Sequence, residues 1–415
     1  MNLVLITIIS GAFSFGSEFG LGADYSSQTY KIVSYDTLNW EEKDTLNIDT
    51  QGRGFLSLDM NSSKAKTNID ARNTLNFSTC SVRDQLNLKL EQQLTPALGI
   101  VASNDAELRY YHGLFPKIAD TAYTEDFLNN VGRVEFRLDA SEATSFTIAD
   151  QAELLRYADP DSFSYDYLVN RLTADANQEL GMFTLLNAEY GWSRRLAKAQ
   201  EERNYNEHSV NAGIDHYFRS GFHLAGQNNL TRRIYPGAEH SFWQEDLTLS
   251  TGQEFTGFGL TIEDEGGWTW YDSTTETYTD LFENETRFTG EIQPRPELTI
   301  RLGPQYELGL ALAGSPDDNY REWSLVLGLD FFQLDRLWVT FEDRIGRRNY
   351  PNADSAFQSS YTFNELSLFL NWAIISSPTS QLNLEGIANI TPEWHTEKSD
   401  NFTMKVYTLE LKYGF

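Results

Sequence analysis

Tyr407-Thr408-Leu409-Glu410-Leu411-Lys412-Tyr413-Gly414-Phe415 closes the chain. Tyr407, Leu409, Leu411, Tyr413 and Phe415 are apolar or aromatic, and the residues between them are polar or small. Side chains alternate sides along a strand, so the stretch is a ribbon with one apolar face and one wet face.

The same alternation recurs upstream. Leu86, Leu88 and Leu90 carry it, as do Leu98, Ile100 and Ala102, then Val134, Phe136 and Leu138, then Val210, Ala212 and Ile214. Leu298, Ile300, Leu302, Pro304, Tyr306, Leu308, Leu310 and Leu312 form one long series, and Leu325, Leu327, Leu329 and Phe331 another. Leu366, Leu368, Leu370, Trp372 and Ile374 precede Leu382 and Leu384. A period of two over this many segments, each about ten to fifteen residues long, is the signature of a transmembrane barrel.

The connections sort by length. Short ones fall near Thr95-Pro96, Ser141-Glu142, Arg219-Ser220-Gly221, Thr256-Gly257, Pro294-Arg295-Pro296, Leu334-Asp335 and Ser377-Pro378. Longer polar ones alternate with them at 112–130, 157–165, 196–206, 236–240, 272–280, 313–319, 350–359 and 395–401. Barrels in outer membranes have short periplasmic turns and longer extracellular loops. Tryptophans add a second pattern. Trp192, Trp243, Trp268, Trp270, Trp323 and Trp394 share parity with the apolar face near the long-loop ends, and Trp372 lies with Tyr413 and Phe415 near the other end. Two aromatic girdles are expected where amphipathic rings meet a membrane interface.

The terminal aromatic strand and the whole-chain architecture resemble bacterial outer-membrane β-barrel proteins. The resemblance implies that the closing residues Tyr407, Leu409, Leu411, Tyr413 and Phe415 are read by the barrel assembly machinery. It also implies residence in outer-membrane lipid. Nineteen segments can be traced from about residue 52. Both ends of such barrels sit on the periplasmic side, so we expect an all-β, antiparallel, up-and-down transmembrane barrel of about 18–20 strands, with an even number. The expected division is a signal peptide at 1–16, an N-terminal segment at 17–51 with room for a further strand near Gln28–Asp36, and the barrel at 52–415. Leu3 to Ile9 is a short apolar run followed by small residues at Ser14 and Gly16, although no Lys or Arg precedes Lys31. Ser164–Gln178 reads less clearly, because Tyr165, Tyr167 and Val169 are accompanied by Leu168 and Leu172 on the other parity.

Composition narrows the function. With 60 acidic against 32 basic residues the net charge is −28, which argues against nucleic acid and anionic lipid surfaces as partners. After the N-terminus no run approaches the roughly 18 apolar residues of a membrane-spanning helix. Cys80 is the single cysteine and excludes an internal disulfide. The six histidines show no metal-ligand spacing, and no cofactor motif is present. His208-Ser209 and His240-Ser241 lack a hydrolase setting, and neighbouring strand residues face opposite ways. Asp317-Asp318-Asn319 reads as a solvated turn more readily than a cation site. An enzyme is therefore not expected.

The wet face carries charge: Glu107, Arg109, Glu189, Asp215, Arg219, Arg233, Asp246, Glu254, Glu263, Glu285, Arg287, Arg301, Glu307, Glu322, Glu342, Arg344, Arg348 and Glu385. A barrel of roughly 18 strands is too wide for side chains to fill, so these groups are expected to line water. Glu107, Arg109, Arg301, Glu307, Glu322, Glu342, Arg344, Arg348 and Glu385 are the principal pore-lining candidates. The connection 112–130 carries Leu114, Phe115, Pro116, Ile118, Tyr123, Phe127 and Leu128, which need burial inside the pore or under an external cap. If it folds inward, Asp120, Glu125 and Asp126 mark a constriction near Arg109 and Arg133. The expectation is a porin-like channel for passive diffusion of small polar solutes or ions with a modest cation preference. A non-transporting barrel scaffold for surface binding or a partner protein is the alternative. A plug-dependent transporter is disfavoured, because 17–51 is short for a plug.

Overall fold

The computed structural model describes the chain from Phe13 to Gly414, except 37–38, 65, 79–80, 112–125, 159, 161–164, 199, 239, 276–277, 314–318, 334–335, 353–358, 378–379 and 397–399. The described residues form strands β1 (Phe13–Asp36), β2 (Asn39–Lys64), β3 (Thr67–Ser78), β4 (Ser81–Thr95), β5 (Leu98–Tyr111), β6 (Phe127–Ser141) and β7 (Thr144–Tyr157). They continue as β8 (Tyr167–Glu179), β9 (Thr184–Ala197), β10 (Tyr205–Tyr217), β11 (Phe222–Ile234), β12 (Phe242–Phe255) and β13 (Phe258–Tyr271). The last seven are β14 (Leu281–Arg295), β15 (Leu298–Ala311), β16 (Tyr320–Gln333), β17 (Leu337–Asn349), β18 (Tyr361–Ser377), β19 (Ser380–His395) and β20 (Phe402–Gly414).

Each strand pairs antiparallel with its neighbours in sequence, in one 20-stranded sheet. The sheet closes on itself: β1 pairs with β2 along its length and with β20 from Glu18↔Gly414 to Tyr30↔Phe402. Closure removes the exposed edges that an open sheet of this size would present. The barrel therefore begins well before residue 52. The segment expected at 17–51 lies in β1 and β2, whose polar residues hide the alternation. Phe13–Gly16 pair with Asp59–Ser62, while residues 1–12 of the expected signal lie outside the described residues. Ser164–Gln178 is a strand as well. In β8, Val169 is buried at the inner face while Leu168 and Leu172 are exposed, so apolar residues on both faces blurred its period.

Cross-strand partners fix which side chains share a face. Leu302↔Leu327, Phe341↔Leu368, Leu384↔Leu411 and Leu382↔Tyr413 belong to one face. So do Phe136↔Ile148, Trp243↔Trp270, Tyr306↔Trp323 and Leu337↔Trp372. Nearly all exposed large apolar side chains of the strands lie on it. An exposed apolar wall of this extent needs lipid around it. The tight turns support the same orientation. Gly181, Gly221 and Gly257 take positive φ (71°, 82° and 78°) in the short connections β8–β9, β10–β11 and β12–β13. A side chain is strained there, and glycine is not.

Candidate functional site: the inner wall

Alternation that sends leucines out sends charge in. On β15–β18 the inward residues include Glu307, Glu322, Arg344, Arg348 and Glu365. Arg344 donates to Glu307 at 2.7 Å, Glu322 at 3.1 Å and Glu365 at 2.8 Å. Arg348 donates to Glu322 at 2.7 Å and Glu307 at 2.8 Å. Two guanidiniums thus sit among three carboxylates. Glu322 is the most enclosed, with its side chain 1% exposed.

Aromatic rings complete this cluster from the wall side. Gly346 stands opposite Phe363, and Gly309 opposite Tyr320. A Cβ at either glycine would collide with that ring. The glycines let Phe363 and Tyr320 lie flat over the backbone, and each ring then carries a guanidinium. Arg344 lies 4.8 Å from the centre of Phe363, and Arg348 4.2 Å from that of Tyr320. Carboxylates on one side and ring faces on the other hold both arginines in fixed poses.

Elsewhere the inner wall carries smaller pairs. Arg83 meets Glu107 at 2.6 Å, and Arg109 lies 3.9 Å from Glu107 and 5.1 Å from the ring of Phe127. Arg133 and Arg137 both bind Glu135. Arg301 reaches Asp330 at 2.7 Å, and Lys412 reaches Glu385 at 2.6 Å. Glu189, Glu263, Glu291 and Glu342 face inward with no ion-pair partner among the described residues. Nearer the short-turn end the wall becomes apolar. Phe332 and Trp338 are 52% and 48% exposed, Phe369 packs edge-on to Trp338 at 5.3 Å, and Ile387 follows on β19.

All the principal pore-lining candidates lie on the inner face. The structure gathers Glu307, Glu322, Arg344 and Arg348 into one cluster and leaves Glu107 with Arg109, Arg301, Glu342 and Glu385 apart from it. Arg219, expected inward, instead occupies the exposed turn between β10 and β11. The connection expected at 112–130 ends earlier, since β6 starts at Phe127. Phe127 packs on Tyr157 at 6.0 Å, and Leu128 points outward at 39% exposure. Asp126 borders β6 and accepts the amide of Ala158 at 2.9 Å, whereas Asp120 and Glu125 lie outside the described residues. Sequence reading passed over Glu365 and Asp330, which the same parity identifies. It also passed over Trp338, an aromatic residue on the otherwise polar inner parity of β17.

No family model and no curated protein matches this chain. Solved structures do. The siderophore receptor PirA from Pseudomonas aeruginosa matches at 10% identity over 95% of this chain and 80% of that one, with a TM-score of 0.60. PirA from Acinetobacter baumannii matches at 7% identity over 98% and 81%, also with a TM-score of 0.60. OccK9 (OpdG) from Pseudomonas aeruginosa matches at 12% identity over 97% and 99%, with a TM-score of 0.51. Identities this low carry the fold alone. That fold is a closed antiparallel β-barrel, and the apolar outer wall is the kind that a transmembrane barrel turns toward lipid.

Proposed function

We propose that this barrel is a porin-like channel through which small polar solutes or ions diffuse passively, with a modest preference for cations. One observation carries the reading: a closed 20-stranded wall turns apolar residues outward and charged residues inward. A barrel of this strand number encloses more space than wall side chains fill. Water in that space accounts for inward carboxylates such as Glu263 and Glu342, which have no ion-pair partner among the described residues. Their excess over free inward cations supports the cation preference, since fixed charge along a pore selects its counter-ion. The connection 112–125, with Asp120 and Glu125, is the proposed constriction.

Purified protein in a planar bilayer tests the reading. Stepwise conductance is expected, with a reversal potential in a KCl gradient that favours K⁺ and weakens as salt rises. Removing 116–126 is expected to raise the conductance and shift the reversal potential. A bilayer that stays sealed refutes the channel and leaves a barrel scaffold; unchanged values on deletion remove the constriction alone. We further propose that residues 1–16 direct export and that the terminal strand ending in Phe415 directs assembly. Deleting Phe415 is expected to reduce insertion, read by heat-modifiable gel mobility of membrane fractions, far more than Lys412→Gln does.

A further inference from the structure

The outer wall holds charge that the inner wall does not resemble. Going up β16 toward the long connections, the outward residues run Leu329, Leu327, Leu325, Trp323 and Arg321. On β17 they run Phe341, Asp343, Ile345 and Arg347. On β16 the wall thus passes from aliphatic to aromatic to cationic, and on β17 the arginine follows Ile345. Arg321 stands opposite Asn349 and Arg347 opposite Trp323. The two arginines are therefore diagonal cross-strand neighbours, roughly 7–8 Å apart at their backbones. Both are exposed, and neither has a side-chain partner among the described residues. Asp343, the outward carboxylate on these strands, lies lower on β17 and pairs with neither.

Trp323 sits between them, 64% exposed, with its ring 4.3 Å from that of Tyr306. An amphipathic ring at that height marks the boundary between hydrocarbon and headgroups. Adjacent like charges repel, and arginine's planar fork matches phosphate oxygens. In a chain of net charge −28, carboxylates to neutralise such a pair are plentiful, yet among the described residues none pairs with either arginine. We propose that Arg321 and Arg347, with Trp323 below the first and beside the second, form a binding site for the phosphorylated headgroup of an outer-leaflet lipid. The acyl chains would lie along Leu325, Leu327 and Ile345. The acidic composition argued against anionic lipid as a partner; the local arrangement overrides it, because a Debye length of about 8 Å confines the effect of remote charge. The site does not depend on whether the barrel conducts.

The test uses the full chain in phosphatidylcholine nanodiscs doped with phosphatidic acid, a phosphomonoester lipid. Bound lipid is counted by native mass spectrometry, and folding is checked by heat-modifiable mobility. The parent is expected to retain phosphatidic acid over phosphatidylcholine. Arg321→Gln with Arg347→Gln is expected to weaken retention about tenfold or more, or about 1.4 kcal/mol. Arg321→Lys with Arg347→Lys, which keeps the charge, is expected to hold an intermediate amount. Arg156→Gln, at an isolated outward arginine of β7, is expected to change nothing. Equal retention by the parent and the double Gln variant overturns the proposal. So does displacement by inorganic phosphate at equal concentration, which identifies a site for free phosphate instead.

Discussion

Strands β16 and β17 present two faces that differ by a single residue step. Inward, Glu322, Arg344 and Arg348 form a cluster in which each charged group is held by several others. Outward, Arg321 and Arg347 stand exposed with no partner among the described residues. The same two strands therefore carry arginine in opposite conditions, and the backbone alternation alone separates them. Charge in the enclosed inner wall must be satisfied by the protein itself, because a guanidinium there loses much of its water. Charge at the outer rim can be satisfied by what surrounds the barrel. Charge on one face thus serves stability, and on the other it is left available for contact.

Removing the centre of the inner cluster should have the largest effect. Glu322→Ala leaves Arg344 and Arg348 enclosed with less compensation, and breaking such a group costs about 3–5 kcal/mol. Urea unfolding in lipid vesicles should show the loss. A change below about 1 kcal/mol would mean that water reaches the cluster freely. Next comes a test of the faces themselves. Leu327→Arg puts a charge on the lipid side and should destabilise by about 2–4 kcal/mol, whereas Glu342→Arg on the wet side should cost little. Equal losses would contradict the register.

A smaller effect is expected outside. Arg321→Gln with Arg347→Gln should change unfolding free energy by no more than about 0.5 kcal/mol, because no contact is lost. A larger loss would show that the pair contributes to the fold. The smallest effect concerns pH. Arg232 donates to both carboxylate oxygens of Asp272 at 2.8 and 2.6 Å, just beyond the end of β13. These bonds hold the Asp272 carboxyl below its ordinary value of 3.8. A depressed carboxylate stabilises the folded state above that value, and the contribution fades as pH falls through the lowered one. The melting difference between the parent and Asp272→Asn should be small at about pH 7 and shrink further as acid protonates the carboxyl. A difference that persists in acid would assign the effect to packing.

Much of this molecule is legible in one dimension. Two-residue periodicity separates Leu302 from Arg301 and Leu327 from Glu322 without coordinates, because side-chain direction in a strand depends only on parity. The lengths of the connections and the parity of the tryptophans indicate the two ends of the barrel in the same way. The reading failed where local pattern is weak. β1 and much of β2 are rich in polar residues, so closure through β1 and β20 could not be located from sequence. Phe127 and Leu128 resemble a loop's apolar load until β6 is paired with β5 and β7.

Partnership lies beyond any such pattern. Arg344 meets Glu307 across two strand boundaries, and only the sheet register brings them together. The same holds for the absence of a partner: Arg321 and Arg344 are indistinguishable as residues in a list. The sequence by itself determined the class of fold and, where the alternation is clear, the side of the wall a residue occupies, because both follow from alternation along a single strand. Only the tertiary structure decided which charges are neutralised and which remain open, because an ion pair depends on distance between strands, and that distance is set by register and closure.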